Sequence, residues 1–169
     1  ARVRSMGLIN TEQTKGPSWR FKLFLAGRHL PGFGAGLGWV ADKRRLRRNP
    51  LVFGGAFADR SLLEGEFDEF FLQPLHNSAA HRDAAVRLLR SFDYQLIRDL
   101  EGLHRRIEVP VQLVWGDRDP FFPVAWAKDM VASFPDARLS VIEGAGLFSH
   151  EEQPEAVAQA LLNVIADKV

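Results

Sequence analysis

Two carboxylates stand in a turn that directly follows a short apolar run. Residues 111–115 (VQLVW) lead into residues 116–123 (GDRDPFFP), which contain Asp117 and Asp119. A carboxylate at the end of a buried strand can orient a catalytic base. The alternative is that both aspartates only organise the turn and cap the following helix.

A histidine with two acidic neighbours stands in a second loop, residues 143–155 (EGAGLFSHEEQPE). His150, followed by Glu151 and Glu152, is suited to act as a general base oriented by an acid from the preceding strand. The alternative is a surface histidine at a helix entrance. The helical zinc motif needs a second histidine four residues later, and the sequence has Pro154 there, so we expect no metal site.

Three apolar runs predict the strands that position these loops: residues 5–10 (SMGLIN), 111–115 and 138–142 (RLSVI). Each is short and bounded by turn residues, as is typical of buried parallel strands. In an open α/β sheet, ligands bind beyond the carboxyl ends of the strands. We therefore expect any functional site there.

Two stretches have the apolar spacing of amphipathic helices, and each has a proline near its start. The order strand, helix, strand, helix predicts an α/β fold with a parallel sheet and right-handed crossovers. The apolar stripes are Ala127, Met130, Val131 and Phe134 after Pro123, and Val157, Leu161, Val164 and Ile165 after Pro154.

The middle of the chain, residues 16–106, has no strand pattern and several helical stretches broken by Gly and Pro. Residues 31–38 (PGFGAGLG) are predicted to form a flexible, hinge-like turn. They do not fit a dinucleotide-binding loop, because no strand precedes them.

Composition limits the kinds of partner. The 169 residues are 46% hydrophobic, enough for one sizeable core, and 22 Lys and Arg balance 21 Asp and Glu. No charge excess favours nucleic acid or an anionic membrane, and no apolar stretch is long enough to span a bilayer. Cysteine is absent. We expect a small-molecule partner, no cofactor and, by default, a cytoplasmic location.

From residue 107 to the C-terminus the chain resembles the end of α/β-hydrolase-fold enzymes of the epoxide hydrolase, haloalkane dehalogenase and esterase type. The resemblance rests on Gly-x-x-Asp-Pro, a proline a few residues on, the segment FPDARLSVIEGAG and the ExP helix start, in family order. SMGLINT resembles the strand after the nucleophile's helix. The resemblance implies a core strand in residues 1–15, a helical cap in 16–106 and a C-terminal core part in 107–169.

Carried over to this sequence, the resemblance implies that Asp119 is the catalytic acid and Asp117 a turn residue. The family usually has Ala-Gly-His-Phe where this chain has alanine, glycine, Leu147 and Phe148. Leu147 thus occupies the position of the base, and it and Phe148 are expected to contact substrate. Either His150 replaces the missing base, or the site has none.

Two cap residues are further candidates for substrate binding. Epoxide hydrolases of this type use cap tyrosines, and Tyr94 is the only tyrosine in the chain. Dehalogenases of this type use Trp N–H donors, for which Trp39 is the candidate. Both residues have packing as the alternative.

No Gly-x-Ser-x-Gly turn precedes the first strand in this sequence. We therefore expect a hydrolase of small apolar esters, epoxides or halides whose nucleophile is not in this chain, and an inactive isolated chain. The alternative is a catalytically silent relative that binds a small molecule or a partner. An unpaired sheet edge predicts self-association or a complementary N-terminal chain.

Overall fold

The computed structural model describes residues 3–166, in which three parallel strands form one sheet in the order β1-β2-β3. The pairing places Met6, Val111 and Ala137 level with one another. All three strands therefore end at the same edge of the sheet, and the predicted α/β class is confirmed. The strands are β1 (Met6–Ile9), β2 (Val111–Gly116) and β3 (Ala137–Ile142).

The central strand β2 is buried along its whole length and is covered by one helix on each face. Its alternate side chains point to opposite faces, so Leu113 and Trp115 pack in one core and Val114 in another. The first core is closed by α7 (Val124–Val131), and the second by α9 (Pro154–Ala166).

The two predicted C-terminal helices are present, with one boundary corrected. Helix α7 ends at Val131, three residues before Phe134. The backbone N–H groups of residues 132–134 donate to carbonyl oxygens three residues earlier instead of four, and Pro135 disfavours helical backbone at Phe134. Phe134 is still buried in the core. The side chain of Ile165 lies outside the described residues.

Between β1 and β2 the described chain is helical and contains no strand, as the sequence predicts. The division of the chain at residues 16 and 107 stays a prediction. The α-helices are α1 (Trp19–Gly27), α2 (Phe33–Asp42), α3 (Arg44–Arg47), α4 (Gln73–Asn77), α5 (Ala79–Arg90) and α6 (Tyr94–His104). Between α3 and α4 lie two short 3-10 helices, Phe53–Gly55 and Arg60–Glu64, and one π-helix, Asp68–Leu72.

The glycine-rich residues 31–38 do not form the predicted flexible turn. Most of them lie in α2, which packs against α4 and α5. A Cβ atom at Gly38 would lie 2.8 Å from Cδ of Arg82 and 2.9 Å from the carbonyl oxygen of Leu75. The glycines therefore permit close helix packing, which the sequence pattern alone did not reveal.

The helical region has its own core, which includes Phe57, Leu63 and Phe67. Phe121 and Leu147, from the loops after β2 and β3, pack against this core and against the core of the sheet. These two loops therefore connect the two packed regions. Within residues 3–166 no helix is long and apolar enough to cross a membrane.

We expect Gly116→Ala to lower the free energy of unfolding by about 1–3 kcal/mol, the usual cost of overpacking. A Cβ atom there would collide with the backbone carbonyl oxygens of Ala145 and Gly146. Urea unfolding measures the change.

Gly102→Ala is the matched control for this substitution. It adds the same methyl group in open space within α6, where we expect a gain of up to about 1 kcal/mol. Equal effects of the two substitutions would contradict the packing argument.

Candidate functional site

Asp119 is buried in the turn after β2, with 6% of its surface exposed. Its Oδ1 accepts hydrogen bonds from the backbone N–H groups of Phe121 (2.7 Å) and Phe122 (3.0 Å). Oδ2 accepts a third from Nδ2 of Asn10 at 2.8 Å. Because a carboxylate oxygen has two lone pairs, Oδ2 retains the capacity to accept one more hydrogen bond.

Asn10, directly after β1, joins the ends of all three strands. Besides donating to Asp119, it accepts through Oδ1 from the backbone N–H of Gly116 (3.2 Å) and from Oγ of Ser149 (2.7 Å). Its φ of 37° is in the left-handed region, which asparagine tolerates better than most residues. Sequence reasoning missed Asn10, although its position immediately after the strand SMGLI was a signal.

Two opposing effects set the pKa of Asp119. Burial raises the pKa above its ordinary value, and the hydrogen bonds from Phe122, Asn10 and Phe121 lower it in part. The three donors thus offset part of the cost of a buried charge, and the effect of burial remains the larger one.

Asp117 lies on the exposed side of the same turn. Its Oδ1 accepts from the backbone N–H of Gly144 at 2.7 Å, which ties the turn after β2 to the turn after β3. Of the two competing aspartates, Asp119 is buried, whereas Asp117 is exposed and connects the two turns through its hydrogen bond with Gly144.

Leu147, for which the resemblance implies the position of a histidine, is half-buried and packs against apolar side chains. Its backbone N–H donates to the carbonyl oxygen of Ala56 at 2.8 Å, and Ser149 is held by Asn10. Glu152 fixes the same loop through the backbone N–H groups of Gly146 and Asp59. The loop is therefore fixed on both sides of Leu147.

His150 lies in the short helix α8 (Ser149–Glu152), with 45% of its side chain exposed. Its ring centroid is 6.0 Å from that of Phe148, and its Nε2 is 3.8 Å from Oε1 of Glu151. Among the described residues, the hydrogen-bond donors to Asp119 do not include His150. The structure does not bring the two candidate catalytic residues together.

An apolar cavity of about 290 Å³ opens beside these loops. Phe121, Phe122, Leu147 and Phe148 form its wall on the side of the sheet. Helix α1 and the turn around residues 50–53 form the rest. The first cavity, as we call it below, thus lies beyond the carboxyl ends of the strands, where the sequence predicts a ligand.

The other two predicted binding residues lie elsewhere. Trp39 is on the outside of α2 with 59% of its surface exposed, and Tyr94 begins α6, where its ring packs edge-on against Phe92 at 5.3 Å. Neither residue lines the first cavity. The described residues also contain no cluster of three or more His, Asp and Glu side chains that would hold a metal ion.

The model of the alpha/beta hydrolase family matches residues 7–160 of the chain. The chain belongs to this family. Among curated relatives, the esterase YbfF of Escherichia coli strain K12 is 36% identical over 58 residues, which cover 34% of the chain and 23% of that protein. The uncharacterized hydrolase YugF of Bacillus subtilis strain 168 is 24% identical over 139 residues, which cover 82% of the chain and 48% of that protein.

Solved structures agree on the alpha/beta hydrolase fold. The enzyme MGS-M2 from a Medee basin deep-sea metagenome library has a TM-score of 0.64 at 19% identity, covering 96% of the chain and 56% of that protein. The 2-hydroxy-6-oxo-6-phenylhexa-2,4-dienoate hydrolase of Rhodococcus sp. strain RHA1 has a TM-score of 0.68 at 14% identity, covering 95% and 54%. The chain spans about half the length, or less, of the relatives it matches.

A swap of Asn10 and Asp119 tests the network that fixes the site. Asp119→Asn leaves two N–H donors facing each other, and Asn10→Asp leaves two carboxylates facing each other, so we expect each to cost about 1–3 kcal/mol of unfolding free energy or more. The double variant Asn10→Asp/Asp119→Asn restores a donor and an acceptor. Urea unfolding of all four proteins measures the cycle, and strictly additive losses would contradict it.

Glu12, two residues beyond Asn10, gives the chain a pH-dependent stability. Its Oε2 is buried without a hydrogen-bond partner, and burial raises its pKa from 4.5 to about 7. Because the folded state then binds the proton more tightly than the unfolded state, this stability is complete below about pH 4.5 and is lost as the pH rises through 7. We expect Glu12→Gln to remove this part of the decline in Tm between pH 5 and 8.

Exposed Glu66 supplies the control for the pH experiment. We expect Glu66→Gln to leave the dependence of Tm on pH as it is in the unmodified protein. Parallel curves for all three proteins would show that Glu12 does not titrate in this range.

Proposed function

We propose that the natural polypeptide containing this chain is a hydrolase that accepts a small apolar ester in the first cavity. The observation that carries the proposal is that this cavity, at the carboxyl ends of the strands, is lined by Phe121 and Phe122, whose backbone N–H groups orient the buried Asp119. Its walls are almost entirely hydrocarbon, which suits an uncharged substrate. The curated relative named as an esterase supports the same reaction class.

Esters fit this cavity better than epoxides or halides. The residues that the resemblance would assign to those two chemistries, Tyr94 and Trp39, do not line it. An ester needs an attacking nucleophile, a base for the nucleophile's proton and an acid that orients the base. In this proposal Asp119 is the orienting acid, the nucleophile comes from the family's strand-to-helix turn, and water is the second substrate.

This mechanism also requires a base that accepts the proton of the nucleophile. A leucine cannot accept a proton, and His150 would have to leave α8 to reach the free lone pair of Asp119 Oδ2. The loop around it is held by the hydrogen bonds of Leu147, Ser149 and Glu152. Hydrolysis through His150 therefore requires this loop to rearrange when substrate binds.

A second candidate function, binding of a small apolar molecule without turnover, is favoured by Leu147. Its side chain extends the apolar wall of the first cavity at the position where the family has its base. Replacing an imidazole with an alkyl side chain removes the proton acceptor and adds apolar contact surface for a ligand. The second candidate function thus uses the same cavity but involves no hydrolysis.

Hydrolysis of p-nitrophenyl butyrate by the natural polypeptide separates the two functions. If His150 acts as the base, we expect His150→Gln and Asp119→Ala each to reduce kcat/KM by at least about a hundredfold. If the protein binds a ligand without turnover, we expect hydrolysis at background level and a gain of similar size from Leu147→His, which restores the histidine that the family resemblance implies at this position.

Controls make the esterase assay decisive. Thermal melting establishes that each variant is folded, and His29→Gln replaces an exposed histidine away from the loop. Activity that persists in both His150→Gln and Asp119→Ala would rule out the proposed acid and base. Activity absent from the unmodified protein and from Leu147→His would rule out hydrolysis at this site.

A further inference from the structure

A second cavity of about 350 Å³ lies next to the first and within the described residues is formed mainly by the helical region. Its wall includes the side chains of Phe57, Phe67, Phe71 and Leu75, and Ala85 of α5. The only polar side chain in its lining is that of His81, which is exposed. The described lining contains no Asp, Glu, Lys or Arg side chain, and it therefore suits hydrocarbon.

Aromatic rings give this cavity a well-defined shape. Phe67 packs on Phe57 and on Phe71 with ring centroids 4.8 Å apart in both pairs, and Phe57 lies 5.1 Å from Phe148. Such ring pairs contribute more stabilising free energy than their buried area alone provides, which favours a fixed arrangement of the wall. The space is thus available for a ligand.

The two cavities share one wall, made by Phe53, Ala56 and Phe148. The two cavities are therefore adjacent, and Ala56 has the smallest side chain of the three shared residues. A methylene chain passes an alanine more easily than a ring does. A linear tail of a ligand in the first cavity would therefore cross most easily into the second cavity at Ala56.

We propose that the substrate is a long-chain acyl ester whose reacting carbonyl lies in the first cavity and whose alkyl tail crosses at Ala56 into the second. This inference rests on the proposed function, because it names the substrate class of the same site. Because the two cavities share wall residues, one ligand that occupies both is favoured over a separate ligand in each. Phe148, next to the base position, then limits how wide the acyl chain is.

Binding of straight-chain carboxylates, the acid products of such esters, tests the inference without requiring turnover. Isothermal titration of the natural polypeptide uses chains of four to sixteen carbons below their micelle concentrations. In the unmodified protein we expect affinity to rise about fourfold for each added CH₂ until the second cavity is filled. In Ala85→Trp, which fills the second cavity, we expect the rise to stop at a shorter chain.

A neighbouring alanine provides the matched control. Ala84 precedes Ala85 on α5, is exposed and does not line the cavity, so Ala84→Trp is expected to keep the chain-length profile of the unmodified protein. Ala85→Leu fills less of the cavity and serves if the tryptophan variant does not fold. The same profile in all of these proteins would overturn the inference.

Two further outcomes separate this inference from the proposed function. Short carboxylates that bind, lose affinity in Leu147→Trp and gain nothing from longer chains would keep the first cavity as the site and refute the second. A folded protein that binds neither the carboxylates nor the corresponding uncharged straight-chain alcohols would refute both. A concentration-dependent dimer that Phe71→Ser converts to a monomer, with no chain-length effect, would instead assign the second cavity to a second copy of the chain.

Discussion

The side chain of Asn10 connects the end of β1 to the end of β2, to the acid loop and to the loop after β3. Its amide donates to Asp119, and its carbonyl oxygen accepts from the backbone of Gly116 and from Ser149. These atoms are buried, so each lost hydrogen bond leaves a polar group without water. Asn10 therefore orients Asp119 in the acid loop and provides one attachment of the loop after β3, through Ser149.

The loop after β3 is fixed by different means, and this has consequences for chemistry. Glu152 and the backbone of Leu147 attach it to residues 56–59 of the helical region, so the loop closes the gap between the two cores. It presents Leu147 and Phe148 to the first cavity and keeps His150 outside. The described residues thus contain an oriented acid and an apolar cavity, and His150 donates no hydrogen bond to this acid. The proposed binding of an apolar ligand uses the cavity as it stands, whereas the proposed hydrolysis through His150 also requires movement of the loop.

Sequence patterns predicted the sheet and its two covering helices because short apolar strands and helices with apolar stripes have distinct periods. The pattern at residues 31–38 was misinterpreted, since glycines that permit helix packing and glycines that form a turn look the same in a sequence. Asn10 was missed for a related reason. An asparagine after a strand can have several structural roles. The role of Asn10 in orienting Asp119 depends on a residue that is 109 positions away in the sequence.

The sequence by itself determined the α/β class, the family resemblance and the identity of Asp119 as the acid candidate, because these depend on local spacing and motif order. The resemblance also implies that Leu147 stands where the family usually has a histidine. Only the tertiary structure decided which of the competing side chains face the site: Asp119 faces inward and Asp117 outward, while Trp39 and Tyr94 lie away from the first cavity. The physical reason is that burial and hydrogen-bond partners are set by residues that are distant in sequence and meet only when the two cores pack together.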